Sequence, residues 1–292
     1  MGSILAFLGG LALGVAGAAA VARWQIRRSL ARVREAERRA RSAERLAEIG
    51  AMTGGLAHEI KNPLSTIGLN AQLLAEGLDE LPVDAATDPE SKRRLSRRVS
   101  SLRREVERLR GILADFLDYA GELRLDRKGA DLNRVVEELA DFFLPQAEAQ
   151  GVRLRTDLAT GELTGSIDVP HVKQAVLNLM LNAVQAMASP TKADASSGTA
   201  ATEGRAKELI LRTERGSDAE GGPTLCLHVT DTGPGIDPEV MPRLFTPYFT
   251  TKSGGTGLGL PTTRRIIEAH GGRLDVVTER GRGTDFVVVL PG

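Results

Sequence analysis

In the segment GLAHEIKNPLSTIGL, residues 55–69, a histidine, a glutamate and an asparagine stand at His58, Glu59 and Asn62. Histidine beside an acid is a pair able to take up a transferred group or a proton. Pro63 follows inside what otherwise has the pattern of a helix. What the pair is for depends on what the other end of the chain binds.

Three features of the C-terminal half ask for a joint explanation. The segment HVKQAVLNLMLNAVQAM carries Asn178 and Asn182, four apart and so on one helical face. Buried amides on an amphipathic helix are costly unless hydrogen-bonded or engaged with a ligand; the alternative is a pair of exposed or capped amides. Next, DTGPGI at 231–236 ends an apolar run with Asp231, followed by Gly233 and Gly235. Glycines let backbone approach a flat ligand, and a carboxylate accepts a hydrogen bond from an exocyclic amine such as that of adenine. Alone, the same residues also make an ordinary turn. Finally, FTTKSGGTGLGLPTTRRIIEAHGG sets Gly254, Gly255, Gly257 and Gly259 just before a helix. Backbone N–H groups of such a loop and of a helix N-terminus suit phosphates. The spacing matches neither the phosphate loop ending in Lys-Ser/Thr nor the dinucleotide fingerprint.

The elements needed to position these groups follow from periodicity. Apolar residues from Leu46 to Leu74 step mostly by three or four, the polar stretch 78–90 interrupts them, and from Leu95 to Phe116 they resume as a near-heptad stripe. Two long helices joined by a loop make an antiparallel hairpin. A lone hairpin leaves apolar surface uncovered, so a second copy of the chain should complete a four-helix bundle. After a connector at 122–130, helices at 131–150, 170–188 and near 260–270 alternate with strand-like runs VRLRTDL, ELILRTE, TLCLHVTD, RLDVVTE and TDFVVVL. That order predicts a sheet with helices on one face, an α/β sandwich over 131–292. The Ser/Thr/Ala/Gly-rich segment 189–205 has no apolar period and reads as a disordered loop.

Lys+Arg and Asp+Glu balance at 38 each, which gives no case for broad nucleic-acid binding. The single cysteine, Cys226, cannot form an intrachain disulfide and reads as buried filler. No charged side chain occurs from Gly2 through Ala22, a run long enough for a bilayer of ~30 Å. Arg23, Trp24, Arg27 and Arg28 follow, placing that flank in the cytoplasm and a tryptophan at the interface. The expectation is a single-pass inner-membrane anchor at 1–23 and a charged linker helix at 24–42, solvated or coiled-coil, with no extracellular sensing domain. A cleaved signal peptide is the rival, but no basic residue precedes the apolar run.

Taken in order, the C-terminal motifs resemble the asparagine, first-glycine, phenylalanine and second-glycine boxes of the histidine-kinase ATP-binding domain, a Bergerat-fold ATPase. Residues 55–69 resemble the phosphoacceptor box of the same kinases. The resemblance covers roughly 43–292 and is nearest to sensor kinases of the nitrogen-regulation type, which share HEIKNPL and FTTKSGGTGLGL. It implies a dimerisation and phosphotransfer domain at 43–121 and a catalytic domain at 131–292. His58 would accept the γ-phosphoryl group of ATP, an imidazole with an unperturbed pKa of ~6.5 being largely neutral at pH 7. Glu59 would orient the ring or take its proton. Asn62 would orient water for dephosphorylating a partner regulator, and Pro63 would bend the helix by removing a backbone donor. Asn182 would ligate Mg²⁺ with Asn178 in support, and Asp231 would hold the adenine amine between Gly233 and Gly235. Gly255, Gly257, Leu258 and Gly259 would meet the phosphates with Lys252. Phe245 and Phe249 would hold the lid or serve as ordinary core. One departure stands out: where many relatives carry a basic residue three past Asn182, this chain has Gln185. The implied partners are a second copy of the chain and a separate response regulator with a receiver domain. The alternatives are a Bergerat ATPase driving assembly and a pseudokinase scaffold, neither of which transfers a phosphoryl group.

Overall fold

A computed structural model describes residues 50, 54–57, 59–74, 76, 89–188, 206–252 and 255–292. The expected anchor, the linker helix at 24–42, His58, Gly254 and the segment 189–205 lie outside the described residues. Among those described, no helix is long and apolar enough to cross a membrane. The chain divides into compact units at Met1–Gly55 and Leu56–Gly292, and the elements that follow belong to the second.

Helix α1 occupies 59–74 and runs on through Pro63, which is buried. Hydroxyl and amide side chains double up on its carbonyls: Ser65 Oγ donates to Lys61 O (2.9 Å) and Thr66 Oγ1 to Asn62 O (3.3 Å). Helix α2, Pro89–Ala120, opens on a proline, which the first turn tolerates because its N–H would have no helical partner. The Arg98 guanidinium donates to Leu73 O, and Arg108 Nη2 lies 3.8 Å from Glu59 Oε2. Rising numbers on α2 thus meet falling numbers on α1, which makes the hairpin antiparallel, as expected. The heptad stripe divides lengthwise. Leu95, Leu102, Leu109 and Phe116 are half-buried, whereas Val99, Val106 and Leu113 remain about half exposed. Leu64, Leu69 and Leu117 are exposed as well.

The α/β part begins with strand β1, Lys128–Asp131, inside the segment read as connector. It pairs antiparallel with β3, Thr164–Ile167, in a small sheet that the periodicity did not announce. Between them lie helix α3, Leu132–Ala149, and β2, Arg153–Asp157. Helix α4, Val169–Ala188, precedes β4, Glu208–Ser217, and β5, Pro223–Asp231. Helix α5, Gly259–Ala269, leads into β6, Arg273–Glu279, and β7, Gly283–Pro291. The main sheet has the order β2-β4-β5-β7-β6, antiparallel throughout except for the parallel pair β2–β4.

Alternation along β4 and β5 buries Leu209, Leu211, Leu225, Leu227 and Val229 against the helices. Val176, Leu179 and Met180 of α4, Phe143 of α3 and Ile267 of α5 are completely buried in the same core. One helical layer on one sheet face is the expected sandwich. Cys226 is buried and unpaired, as expected of filler. A buried amide closes the far side of this layer. Asn133 Nδ2 donates to Ala159 O and Gly161 O, and its Oδ1 accepts from Thr213 Oγ1 at 2.6 Å. All of its polar capacity is met, so its burial is affordable.

Candidate active site

Helix α4 carries Asn178 and Asn182 on the face toward the start of α5. Asn178 Nδ2 donates to Gly259 O at 3.4 Å. A Cβ on Gly259 would lie 3.9 Å from both amide side chains, ordinary van der Waals contact, so this position faces the two asparagines directly. The Asn182 side chain is already engaged: Lys252 Nζ donates to its Oδ1 (2.9 Å), to its backbone O (3.2 Å) and to Gln185 Oε1 (3.2 Å). These three acceptors use all three N–H donors of an ammonium.

Asp231 ends β5 and is almost wholly buried, 4 % exposed. Its Oδ1 accepts from Gly233 N at 2.7 Å. Burial pushes its carboxyl up to about 6, against the opposing pull of the Gly233 and Thr284 N–H groups and of Lys252. Two glycines make this corner possible. A Cβ on Gly283 would fall 1.9 Å from Asp231 O, and Gly235, at φ +75°, would place one 2.4 Å from Glu279 O. Burial likewise lowers the Lys252 ammonium to about 8, with the Asp231 charge working the other way.

The lid runs from the short 3-10 turn Met241–Arg243 to α5. The Arg243 guanidinium lies 4.2 Å above the Phe249 ring, and that of Arg264 lies 5.2 Å from Phe245, which also packs on the core. Both phenylalanines therefore anchor the lid through cation–π contact, and Phe245 through packing as well. Gly257, at φ +67°, lets the chain cross its own backbone, because a Cβ there would sit 2.6 Å from Tyr248 C. Leu258 is fully buried and stands at the N-cap of α5, its N–H 3.4 Å from Thr256 Oγ1. Gly255 N approaches Lys252 O at 3.5 Å.

Glu59 is half-buried and ion-paired with Arg108, and Asn62 is exposed three residues farther along α1. The structure therefore gathers Asn178, Asn182, Lys252, Asp231, Gly233, Gly235 and the glycines of 255–259 in the α/β part, and keeps Glu59 and Asn62 on the hairpin. Tyr248 reaches toward the hairpin from the lid. Its phenol is pushed up by burial and by the Glu59 charge, its hydroxyl is buried with no hydrogen-bond partner among the described residues, and its φ is +60°. Sequence reasoning missed Tyr248, and also Arg108 and the Thr256–Asp115 hydrogen bond of 2.7 Å between lid and α2. A polar residue on a long charged helix carries no local mark of what it will meet.

A carbonyl oxygen that accepts an ammonium at 2.9 Å is suited to a hard cation, and Mg²⁺ takes oxygen ligands while keeping waters. Among the described residues no group of three or more His, Cys, Asp or Glu is placed to hold a metal. One amide oxygen plus phosphate oxygens is the donor set that fits here.

Comparison with known proteins agrees with this geometry. Residues 48–121 match the family described as His Kinase A (phospho-acceptor) domain, and 167–292 match Histidine kinase-, DNA gyrase B-, and HSP90-like ATPase. Carrying both domains in this order, the chain belongs to the sensor histidine kinases of two-component systems, and its α/β part is an ATP-binding domain. It is 30% identical over 263 residues to the signal transduction histidine-protein kinase AtoS of Escherichia coli, covering 88% of this chain and 37% of that one. It is 30% identical over 248 residues to the sensor histidine kinase ZraS of Salmonella typhi, covering 85% and 47%. The chain thus spans less than half the length of these relatives. Among solved structures, histidine kinase ThkA in complex with response regulator protein TrrA is similar at TM-score 0.61 and 25% identity, covering 85% of this chain and 63% of that one.

Proposed function

We propose that the chain is an ATP-dependent protein-histidine kinase that phosphorylates itself on His58 and passes the group to an aspartate of a separate response regulator. The observation that carries this reading is the pairing of a phosphoacceptor-type hairpin with a pocket holding Asn182, Lys252 and a buried Asp231 in one compact unit.

An imidazole nitrogen of His58 attacks the γ-phosphorus. The bond from that phosphorus to the β–γ bridging oxygen breaks, and ADP leaves with the electron pair. Glu59 holds the other ring nitrogen and draws off the ring proton, while Arg108, 3.8 Å away, turns the carboxylate into place. Asp231 accepts from the adenine amine, and the glycine walls at 233 and 235 leave room for the base. Lys252 and the backbone of 255–259 receive the phosphates, with Asn182 Oδ1 as the protein ligand for Mg²⁺ and Asn178 bracing α5. When bound, Mg²⁺ supplies neutralisation of charge on the β- and γ-phosphates. Asn62, exposed on the acceptor helix, is placed to orient water for removing the group from the regulator.

A homodimer accounts for the uncovered edge of the heptad stripe, Val99, Val106, Leu113 and Leu117. A regulator partner is supported by the complex formed by ThkA with TrrA. Residues 1–23 anchor the chain in the cytoplasmic membrane with the kinase on the cytoplasmic side; retention in the membrane pellet after an alkaline wash is the expected result.

The test incubates the full chain with Mg²⁺ and γ-labelled ATP beside His58→Gln and Asn182→Ala. Acid-labile, alkali-stable label on the parent alone is expected. ATP binding without label points to a pseudokinase scaffold instead, and label surviving His58→Gln moves the acceptor elsewhere.

A further inference from the structure

The Lys252 ammonium has an unusual setting for a lysine drawn in from water. Its three acceptors are neutral: the Asn182 carbonyl, the Asn182 amide oxygen and the Gln185 amide oxygen. Among the described residues no carboxylate lies within ion-pair distance of it, although the charge of buried Asp231 is felt. A desolvated cation on neutral oxygens is unfavourable unless an anion offsets it, and an arriving phosphate would. Yet its shortest contact is to Asn182 Oδ1, the one amide oxygen the mechanism reserves for the metal.

We infer that Lys252 is the resident cation of the nucleotide-free site: parked on Asn182 Oδ1 by Gln185, it latches the lid and must be displaced from that oxygen before Mg-ATP seats. This deepens the kinase reading and rests on it for the role of Asn182. Gln185 is a positioning residue. A cation at 185 would repel Lys252, whereas an amide oxygen accepts from it. These contacts hold Lys252 and its part of the lid against the last turns of α4. Displacement then frees the same ammonium to swing toward the phosphates, so the cation lost from the metal site is kept within it.

The test uses the full chain and two variants, Gln185→Leu and Lys252→Met. Gln185 is exposed, so its replacement leaves the core intact. Amide hydrogen exchange of the lid segments flanking Lys252 is measured without nucleotide, and ATP affinity by calorimetry with excess Mg²⁺. Both variants should raise nucleotide-free lid exchange several-fold. Gln185→Leu, which keeps the phosphate-seeking lysine but not its parking place, should bind Mg-ATP about three- to tenfold tighter, since a stabilised competing state taxes apparent affinity by its population. Unchanged lid exchange in both variants overturns the latch. Faster exchange with weaker Mg-ATP binding overturns the competition, because Gln185 would then be aiming Lys252 at the phosphates. A parent that binds no ATP would sink the kinase reading while the exchange arm still decides whether the lysine latches the lid.

Discussion

Asp231 carries a pH signature of its own within the physiological range. Its folded pKa of about 6 lies above the ordinary 3.8, because burial disfavours the ionised form. A carboxyl raised in this way contributes stability that is fully present below its unfolded value and is lost as pH rises through about 6. In the proposed role, the ionised form is the better acceptor for the adenine amine. ATP affinity should therefore weaken as pH falls through about 6 while the nucleotide-free protein loses that electrostatic penalty. Asp231→Asn should melt higher without nucleotide and bind ATP at least tenfold more weakly, in line with ~1.5–3 kcal/mol for a hydrogen bond to a charged group. Calorimetry across pH 5 to 8 checks both arms. Tyr248 makes a second prediction at this scale. Its buried hydroxyl has no partner among the described residues, and an unmet buried polar group costs ~1–3 kcal/mol. Tyr248→Phe should raise the melting temperature, and an unchanged or lower value in a thermal scan would count against an orphaned hydroxyl.

Among the elements, α5 is fixed at its C-terminus by His270. This side chain is 1 % exposed, its Nδ1–H donates to Ile266 O (2.8 Å), and its Nε2 accepts from Asp168 N (3.0 Å). That tautomer is neutral. Burial first, then Arg127 and His171, push the pKa down, against the Ile266 bond and Asp168. A histidine depressed by folding contributes stability that is present above its unfolded value near 6.5 and lost as pH falls below it. Asp231 acts with the opposite sign in an overlapping window, so the loss is best measured in the Asp231→Asn background. There the urea midpoint should drop from pH 7 to pH 5, and His270→Gln should flatten that slope.

The same elements show what was legible in the sequence. Periods near 3.6 and 2 marked the hairpin, α3 to α5 and the five main strands, because most of them turn one apolar face inward. The pair β1–β3 was not legible: strands of four residues carry too few alternations to distinguish from a connector. The parallel pairing of β2 with β4 is a fact of long-range contact that no local pattern holds. At the site, glycines and amides stood out by type and spacing, whereas Tyr248 at φ +60° did not, since nothing in its neighbours announces a left-handed bulky residue.

At the scale of the whole compact unit, the ATP-binding part is tied to the last turns of α2. Thr256 Oγ1 donates to Asp115 Oδ2 (2.7 Å) and Gln174 Nε2 to Asp118 Oδ2 (2.9 Å). Arg265 donates to Tyr119 O and Gly121 O, its guanidinium 5.7 Å from the Tyr119 ring. Net worth of ~1 kcal/mol per such bond makes this arrangement a favoured resting state that a few kcal/mol could overturn. Thr256→Val should loosen it: faster hydrogen exchange around 115–121 is expected, and an unchanged exchange pattern would show the threonine bond to be idle.

These ties fall on the final six residues of a 32-residue helix and on Gly121 just past its end, and that placement makes α2 a lever. At 1.5 Å of rise per residue the helix is about 48 Å long. A tilt of about 5° about its far end swings the tied end through about 4 Å. Hydrogen bonds do not survive beyond about 3.5 Å. A change of a few degrees at the start of the bundle, too small to disturb its packing, is therefore enough to cast the nucleotide-carrying part loose.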